Sequence, residues 1–346
     1  MRVILARGNR GEAALPDAKL LDEAKALGAR FPAARLRPCS LVRIVEADAR
    51  AGGARVWAAL ESLQVTGSFK VRGALLALAR LAEKRETRVV AASAGNHGAG
   101  VAYAANVLGV DATVVVPSSA PAAKRDRIER YGAELVVARS DGYDAAEREA
   151  LALADKMHAP FVSPYDDVAI AAGNGGSLGF EIARALGRAP EVVIAPFGGG
   201  GLATGLACAL PTTRVFGAQS EASPAFAMSL ERGSAVESLE PAPTLADGLE
   251  GGISSAAFAR ARAVVAGVAV VTERAIGAAM AAAYRSLGVM IEGSAAAAIA
   301  PFLEQSLPRE IAPPSADSDV VVVVTGRNVD RARLDAVLEE NSRALW

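Results

Sequence analysis

At 346 residues the chain is too long for one small core and suits two domains, or one large α/β unit with an insert. Apolar residues make up 52% and aromatics only 5%, so the core must be built from Ala, Val, Leu and Ile. With 37 basic and 38 acidic residues and a net charge of −1, the chain lacks the electrostatic footprint of a nucleic-acid binder and any polybasic membrane patch.

The N-terminal stretch MRVILARGNRGEAALPD holds four apolar residues together before Arg7, too few for a signal peptide. Cys39 and Cys208 cannot build a disulfide framework, which fits a reducing compartment; a water-soluble, cytoplasmic protein is expected. Further along, Thr66-Gly67-Ser68 predicts a turn, and Phe69-Lys70 opens a helix running through Leu81. Near-continuous apolar runs predict strands at Arg88 to Ala92, Ala112 to Val116, Glu134 to Ala138, Glu191 to Ala195, Arg214 to Ala218, Val268 to Val271 and Asp319 to Val324. Ala-rich amphipathic stretches lie between them, at Pro121 to Tyr131, Tyr143 to Lys156 and Glu273 to Leu287. Glu304 to Asp319, with its prolines, reads as an exposed connection, and Arg331 to Trp346 as a last short helix. This alternation gives an α/β fold of two doubly wound, mostly parallel sheets, with strands grouped before and after about residue 160. The division expected is a large domain from residues 1–80 and 161–346, a small domain from 81–160, and a cleft between them.

Val89 to Val110 and Val192 to Thr213 carry no charge and are long enough to cross a bilayer. Each contains a Gly-rich or Asn-containing loop whose backbone groups would be unpaired in lipid, so both read as buried site-forming segments.

Three of the chemically informative segments follow a strand. Ser93-Ala-Gly-Asn-His-Gly98 and Pro196-Phe-Gly-Gly-Gly-Gly-Leu-Ala-Thr-Gly205 both run from a strand into a helix, offering backbone N–H groups to an anion. The second formally fits the dinucleotide fingerprint as well, with Glu221 at about the ribose-binding distance, so the glycines alone leave phosphate and dinucleotide open. Thr325 sits at the end of the last strand, the edge where open α/β sheets bind ligands. Lys70, beside a Gly/Ser turn and heading a small-residue helix, is placed to be desolvated and reactive; taken by itself it reads equally as a surface lysine. His97 reads as a structural histidine near a helix cap rather than a proton carrier, and His158 is given no role.

Together these segments resemble the threonine/serine dehydratase family of the tryptophan-synthase-like, fold-type II pyridoxal-phosphate (PLP) enzymes, which includes serine racemase-like members. The likeness runs from about Leu41 to Asp330 and extends to Pro121-Ala-Ala-Lys-Arg-Asp-Arg-Ile-Glu-Arg-Tyr-Gly-Ala-Glu134, Pro164-Tyr-Asp-Asp167, Ala246-Asp-Gly248 and Val271-Thr-Glu273. It implies pyridoxal 5'-phosphate in the cleft, held by Lys70 as a Schiff base, with Phe69 against the ring and Asn96 on its phenolic oxygen. It further implies that Gly198, Gly199, Gly200, Gly201 and Leu202 cradle the phosphate and that Thr325 meets the pyridine nitrogen. Ser93, Asn96 and His97 are then placed around the substrate carboxylate, with Lys70 also taking the α-proton. The implied reaction is β-elimination from L-threonine, L-serine or a related 3-hydroxy amino acid, giving a 2-oxo acid and ammonia, in a homodimer or other homo-oligomer. Racemisation or β-replacement on the same fold is the alternative, and an NAD(P)-dependent oxidoreductase or a non-catalytic binding protein a remote one.

Several positions depart from the family. Arg37-Pro-Cys-Ser-Leu41 replaces an Arg-Thr-Pro-Leu entry, and Ala59 stands where a lysine is common. Gln219 and Ala225 replace carboxylates that hold a divalent cation in many members, so no metal is expected. Thr325-Gly-Arg-Asn328 replaces Ser-Gly-Gly-Asn, leaving Arg327 either a ligand contact or a surface residue. Ala94 stands where resembling racemases carry a proton-donating serine, which points away from racemisation. The short stretch after Asp330 leads to the expectation of a catabolic-type enzyme without a regulatory domain.

Overall fold

The computed structural model describes residues 1–6, 13–140, 142–240, 242–304 and 306–345. Residues 7–12 of the N-terminal stretch and Trp346 of the anticipated last helix lie outside the described residues. The chain begins with β1 (Arg2–Leu5), α1 (Ala18–Lys25), β2 (Leu41–Arg43) and β3 (Arg55–Leu60). Next come α2 (Lys70–Glu83), β4 (Arg88–Ala92), α3 (Asn96–Leu108), β5 (Asp111–Val116), α4 (Ala122–Arg130), β6 (Glu134–Val137) and α5 (Tyr143–Met157). A helical stretch from Val168 contains a π turn at Ala172–Gly176 and continues as α6 (Ser177–Leu186). Then follow β7 (Val192–Pro196), α7 (Gly201–Ala209), β8 (Arg214–Ser220), α8 (Ala225–Arg232) and α9 (Ser255–Val264). β9 (Gly267–Val271), α10 (Glu273–Leu287), β10 (Asp319–Val324) and α11 (Arg331–Glu340) complete the order.

The strands form two sheets. One has seven strands in the order β1-β9-β8-β7-β10-β3-β2, the other three in the order β4-β5-β6. The smaller sheet is wholly parallel, whereas the larger is parallel inside and antiparallel at each edge, where β1 meets β9 and β2 meets β3. The sequence therefore led to the right fold class but missed the edges. β1 and β2 are short, half-exposed strands without a long apolar run. β3 was also missed: its Trp-Ala-Ala centre has weak strand propensity, yet β3 pairs with β10 over six residues.

β10 lies inside the larger sheet, between β7 and β3, and Val320 to Val324 are all fully buried. A valine run covered on both faces is what a central parallel strand requires, each side chain contributing about 2 kcal/mol of apolar burial. The connection before β10 is not wholly exposed, since Leu307 and Ile311 drop into the core. No helix among the described residues is long and apolar enough to cross a membrane.

Candidate active site

A cavity of about 920 Å³ opens at the carboxyl ends of β4, β7 and β10. Such an edge collects ligands in open α/β sheets because strand ends and helix starts present their unpaired backbone groups there.

Lys70 is the first residue of α2 and lines this cavity. The turn before it is held tightly: Gly67 adopts φ 75°, and a Cβ there would sit 2.5 Å from Asn328 Oδ1. Phe69 N donates to Thr325 O at 3.1 Å, so the lysine is fixed directly to the end of β10. Burial lowers the Lys70 pKa to about 8, with the nearby Glu292 carboxylate partly opposing the shift. Its Nζ stands 5.2 Å from the centre of the Phe69 ring.

Two residues further into α2, Arg72 is completely buried at 0% exposure. Its guanidinium donates to Glu61 at 2.7 and 2.9 Å and to Glu181 at 3.0 and 2.8 Å, joining the segment after β3, α2 and α6. The start of the lysine helix is thus anchored by a buried, fully hydrogen-bonded charge cluster.

The loop after β4 brings Ser93, Ala94, Asn96 and His97 to the same cavity. Asn96 Nδ2 donates to Glu292 Oε1 at 2.8 Å, and its Oδ1 accepts from Asn328 Nδ2 at 2.6 Å. One amide hydrogen of Asn96 therefore remains for a ligand. His97 is 4% exposed, with Nε2 2.9 Å from Val162 O and Nδ1 unpartnered among the described residues. Burial, reinforced by the positive charge of Lys70, lowers its pKa to about 3, so the ring is neutral with its hydrogen on Nε2.

The glycine loop lines the same cavity. The amides of Gly198 to Leu202 have no hydrogen-bond partner among the described residues, and α7 begins at Gly201. Gly200 has φ 80°, and a Cβ on it would stand 2.8 Å from Phe197 Cζ; one on Gly199 would stand 2.5 Å from Tyr165 Cβ. Unpaired amides at a helix start, with no room for a side chain at Gly199 or Gly200, suit an anion such as a phosphate. Thr325 lines the cavity from the end of β10 and is buried.

Glu292 is the chief site residue that sequence reasoning passed over. It is 8% exposed, accepts from Asn96 and from Asn328 N, and burial raises its pKa to about 7. Its signal was being the lone charge between Arg285 and Glu304. Arg327, by contrast, does not line the cavity; it is half-buried and donates its backbone N–H to Gly67 O. Gln219 is buried in β8, with Oε1 accepting from Ala227 N and Nε2 unpartnered among the described residues. Among the described residues no cluster of three or more His, Cys, Asp or Glu is placed to hold a metal ion.

A lysine with a depressed pKa and a glycine loop of unpaired amides, lining one cavity, fit a phosphorylated aldehyde cofactor. The family model described as "Pyridoxal-phosphate dependent enzyme" matches residues 35–326. The chain belongs to that family. It is 36% identical over 249 residues to an L-threonine ammonia-lyase of Thermotoga maritima, covering 70% of this chain but only 59% of that protein. Among solved structures, the processed form of threonine deaminase isoform 2 from Solanum lycopersicum superimposes with a TM-score of 0.81 at 27% identity, covering 98% of each chain. Maize serine racemase gives a TM-score of 0.82 at 28% identity, covering 94% of this chain and 98% of that one. As a pyridoxal-phosphate dependent enzyme, the chain presents its glycine loop and the half-buried Lys70 from the ends of two strands of one sheet, the loop after β7 and the helix after β3.

Proposed function

We propose that this enzyme removes the β-hydroxyl and the amine of a small 3-hydroxy amino acid, L-threonine or L-serine being the leading candidates, and releases a 2-oxo acid and ammonia. The observation carrying the reading is the Lys70 amine, desolvated in the cavity onto which the unpaired amides of Gly198 to Leu202 open. The names of the relatives support the choice of substrate class.

In this reading Lys70 holds the cofactor and, once free, takes the α-proton; a pKa of about 8 leaves enough neutral amine for both tasks. When bound, pyridoxal phosphate supplies the electron sink for the charge left at the α-carbon. Gly198, Gly199, Gly200, Gly201 and Leu202 hold its phosphate, Phe69 packs against its ring, and Asn96 gives its spare amide hydrogen to the phenolic oxygen. Thr325 offers the pyridine nitrogen a neutral hydroxyl, which tempers the sink and favours prompt loss of the β-substituent. Ser93, Asn96 and His97 surround the substrate carboxylate. His97, with a pKa near 3, stays neutral and orients the substrate without relaying protons.

Gln219 and Ala225 leave the reaction without need of a divalent cation. Residues 1–80 with 161–346 act as the large domain and 81–160 as the small one, working as a homo-oligomer in the cytoplasm. Racemisation is disfavoured because Ala94, on the cavity wall, presents a methyl group that cannot return a proton.

The test is a screen of 3-hydroxy amino acids with wild type and Lys70→Ala. Wild type releases 2-oxo acid and ammonia without interconverting L- and D-serine on chiral chromatography, and Lys70→Ala is inactive. Fast racemisation by wild type, or a tenth of wild-type turnover retained by Lys70→Ala, refutes the reading.

A further inference from the structure

The first turn of α2 is not a regular helix start. Gly73 N, which in an undisturbed helix bonds to the carbonyl of Phe69, donates instead to Asn174 Oδ1 at 2.9 Å. The Phe69 carbonyl is taken by Arg72 N at 3.0 Å. Asn174 belongs to the π turn Ala172–Gly176, whose extra residue bulges from an otherwise α-helical stretch. Such insertions cost regular hydrogen bonding and recur at functional sites. Asn174 is 2% exposed, and it also lines the cavity.

This turn touches both halves of the site, and it does so through glycines. Towards α2, a Cβ on Gly73 would stand 2.6 Å from Asn174 Cγ, and one on Gly173 would stand 2.7 Å from Arg72 O. Towards α7, a Cβ on Gly175 would collide with the Leu202 carbonyl, and one on Gly205 with the Ala171 carbonyl. Backbone therefore lies directly on backbone at Gly173 on one side and at Gly175 and Gly205 on the other, while the Asn174 side chain fills the space against Gly73. The helix headed by Lys70 and the helix behind the phosphate loop are spaced by one rigid turn.

We infer that Asn174 is a positioning residue, whose hydrogen bond to Gly73 sets where the Lys70 amine stands relative to the phosphate cradle. The inference rests on Lys70 being the lysine that holds the cofactor. Loss of the bond frees the first turn of α2 to relax towards the ordinary helical pattern and moves the lysine away from the anchored phosphate. A misplacement of about 1 Å at a reacting group costs up to about 100-fold in rate.

The experiment compares wild type, Asn174→Ala, Asn174→Asp and Lys70→Ala. It follows cofactor dissociation constant and the pH midpoint of the cofactor's violet absorption, alongside far-UV circular dichroism and melting of the cofactor-free protein. Asn174→Ala is expected to fold, to melt within about 3 °C of wild type, to bind pyridoxal phosphate about tenfold more weakly and to shift the absorption midpoint. Asn174→Asp keeps an oxygen in the same place and restores the affinity. If Asn174→Ala keeps affinity and midpoint within about twofold of wild type, if it lacks a native far-UV spectrum, or if Asn174→Asp binds as weakly as it does, the inference falls. Lys70→Ala separates the two readings: retention of the violet absorption in that variant removes the role of Lys70 itself.

Discussion

Burial, not a neighbouring charge, lowers the Lys70 pKa, since the charge that acts on it, Glu292, pushes in the other direction. An amine with a pKa of about 8 is roughly one-quarter neutral at pH 7.5, against roughly one part in a thousand for an unperturbed lysine. Only the neutral form attacks an aldehyde. The rate at which cofactor-free protein takes up pyridoxal phosphate is therefore predicted to rise with pH and level off above a midpoint near 8. Stopped-flow measurement of the absorption change across pH 6 to 10 checks this, and a rise that continues towards the ordinary lysine value contradicts the burial argument. Glu292 forms the counterpart: its two carboxylate oxygens are both occupied, by Asn96 and by the Asn328 backbone amide, so it ties these two residues together from the cavity wall.

At the scale of elements, the start of α2 depends on Arg72. A guanidinium with no exposed surface, held by Glu61 and Glu181, cannot be removed without leaving carboxylate charge buried beside the site. Breaking a buried pair from one side costs about 3–5 kcal/mol. Arg72→Ala is accordingly predicted to lower the melting midpoint by roughly 4–7 °C, whereas removing the exposed Arg331–Asp335 pair should change it by less than about 1 °C. Calorimetry of both variants decides the point; equal effects would mean that the buried cluster has no special weight. The same reasoning explains why the motif around Lys70 is legible at all. Gly67, Lys70, Arg72 and Gly73 each meet a constraint that another residue type would break: a positive φ, a cavity position, a buried ion cluster and a contact with Asn174.

At the scale of the whole molecule, the interior strands other than β3 were legible because strands covered on both faces must be continuously apolar, as Val320 to Val324 show. The edge strands β1 and β2 were not, because half-exposed strands of three or four residues leave no such run. Within the site, the glycine loop and the Lys70 segment announce themselves by local chemistry. Glu292 and Asn174 do not, because their importance comes from partners far away in sequence: Asn96 for one, Gly73 for the other. In the proposed reading, one cavity joins the Lys70 amine to the glycine loop through a shared cofactor. The most direct test of that reading is borohydride reduction of the purified protein followed by peptide mapping with mass spectrometry. The account predicts a single phosphopyridoxyl group on Lys70, in the peptide containing Thr66-Gly-Ser-Phe-Lys70. A phosphopyridoxyl group on Lys124 or another lysine, or no modification in protein that still shows activity, would contradict it.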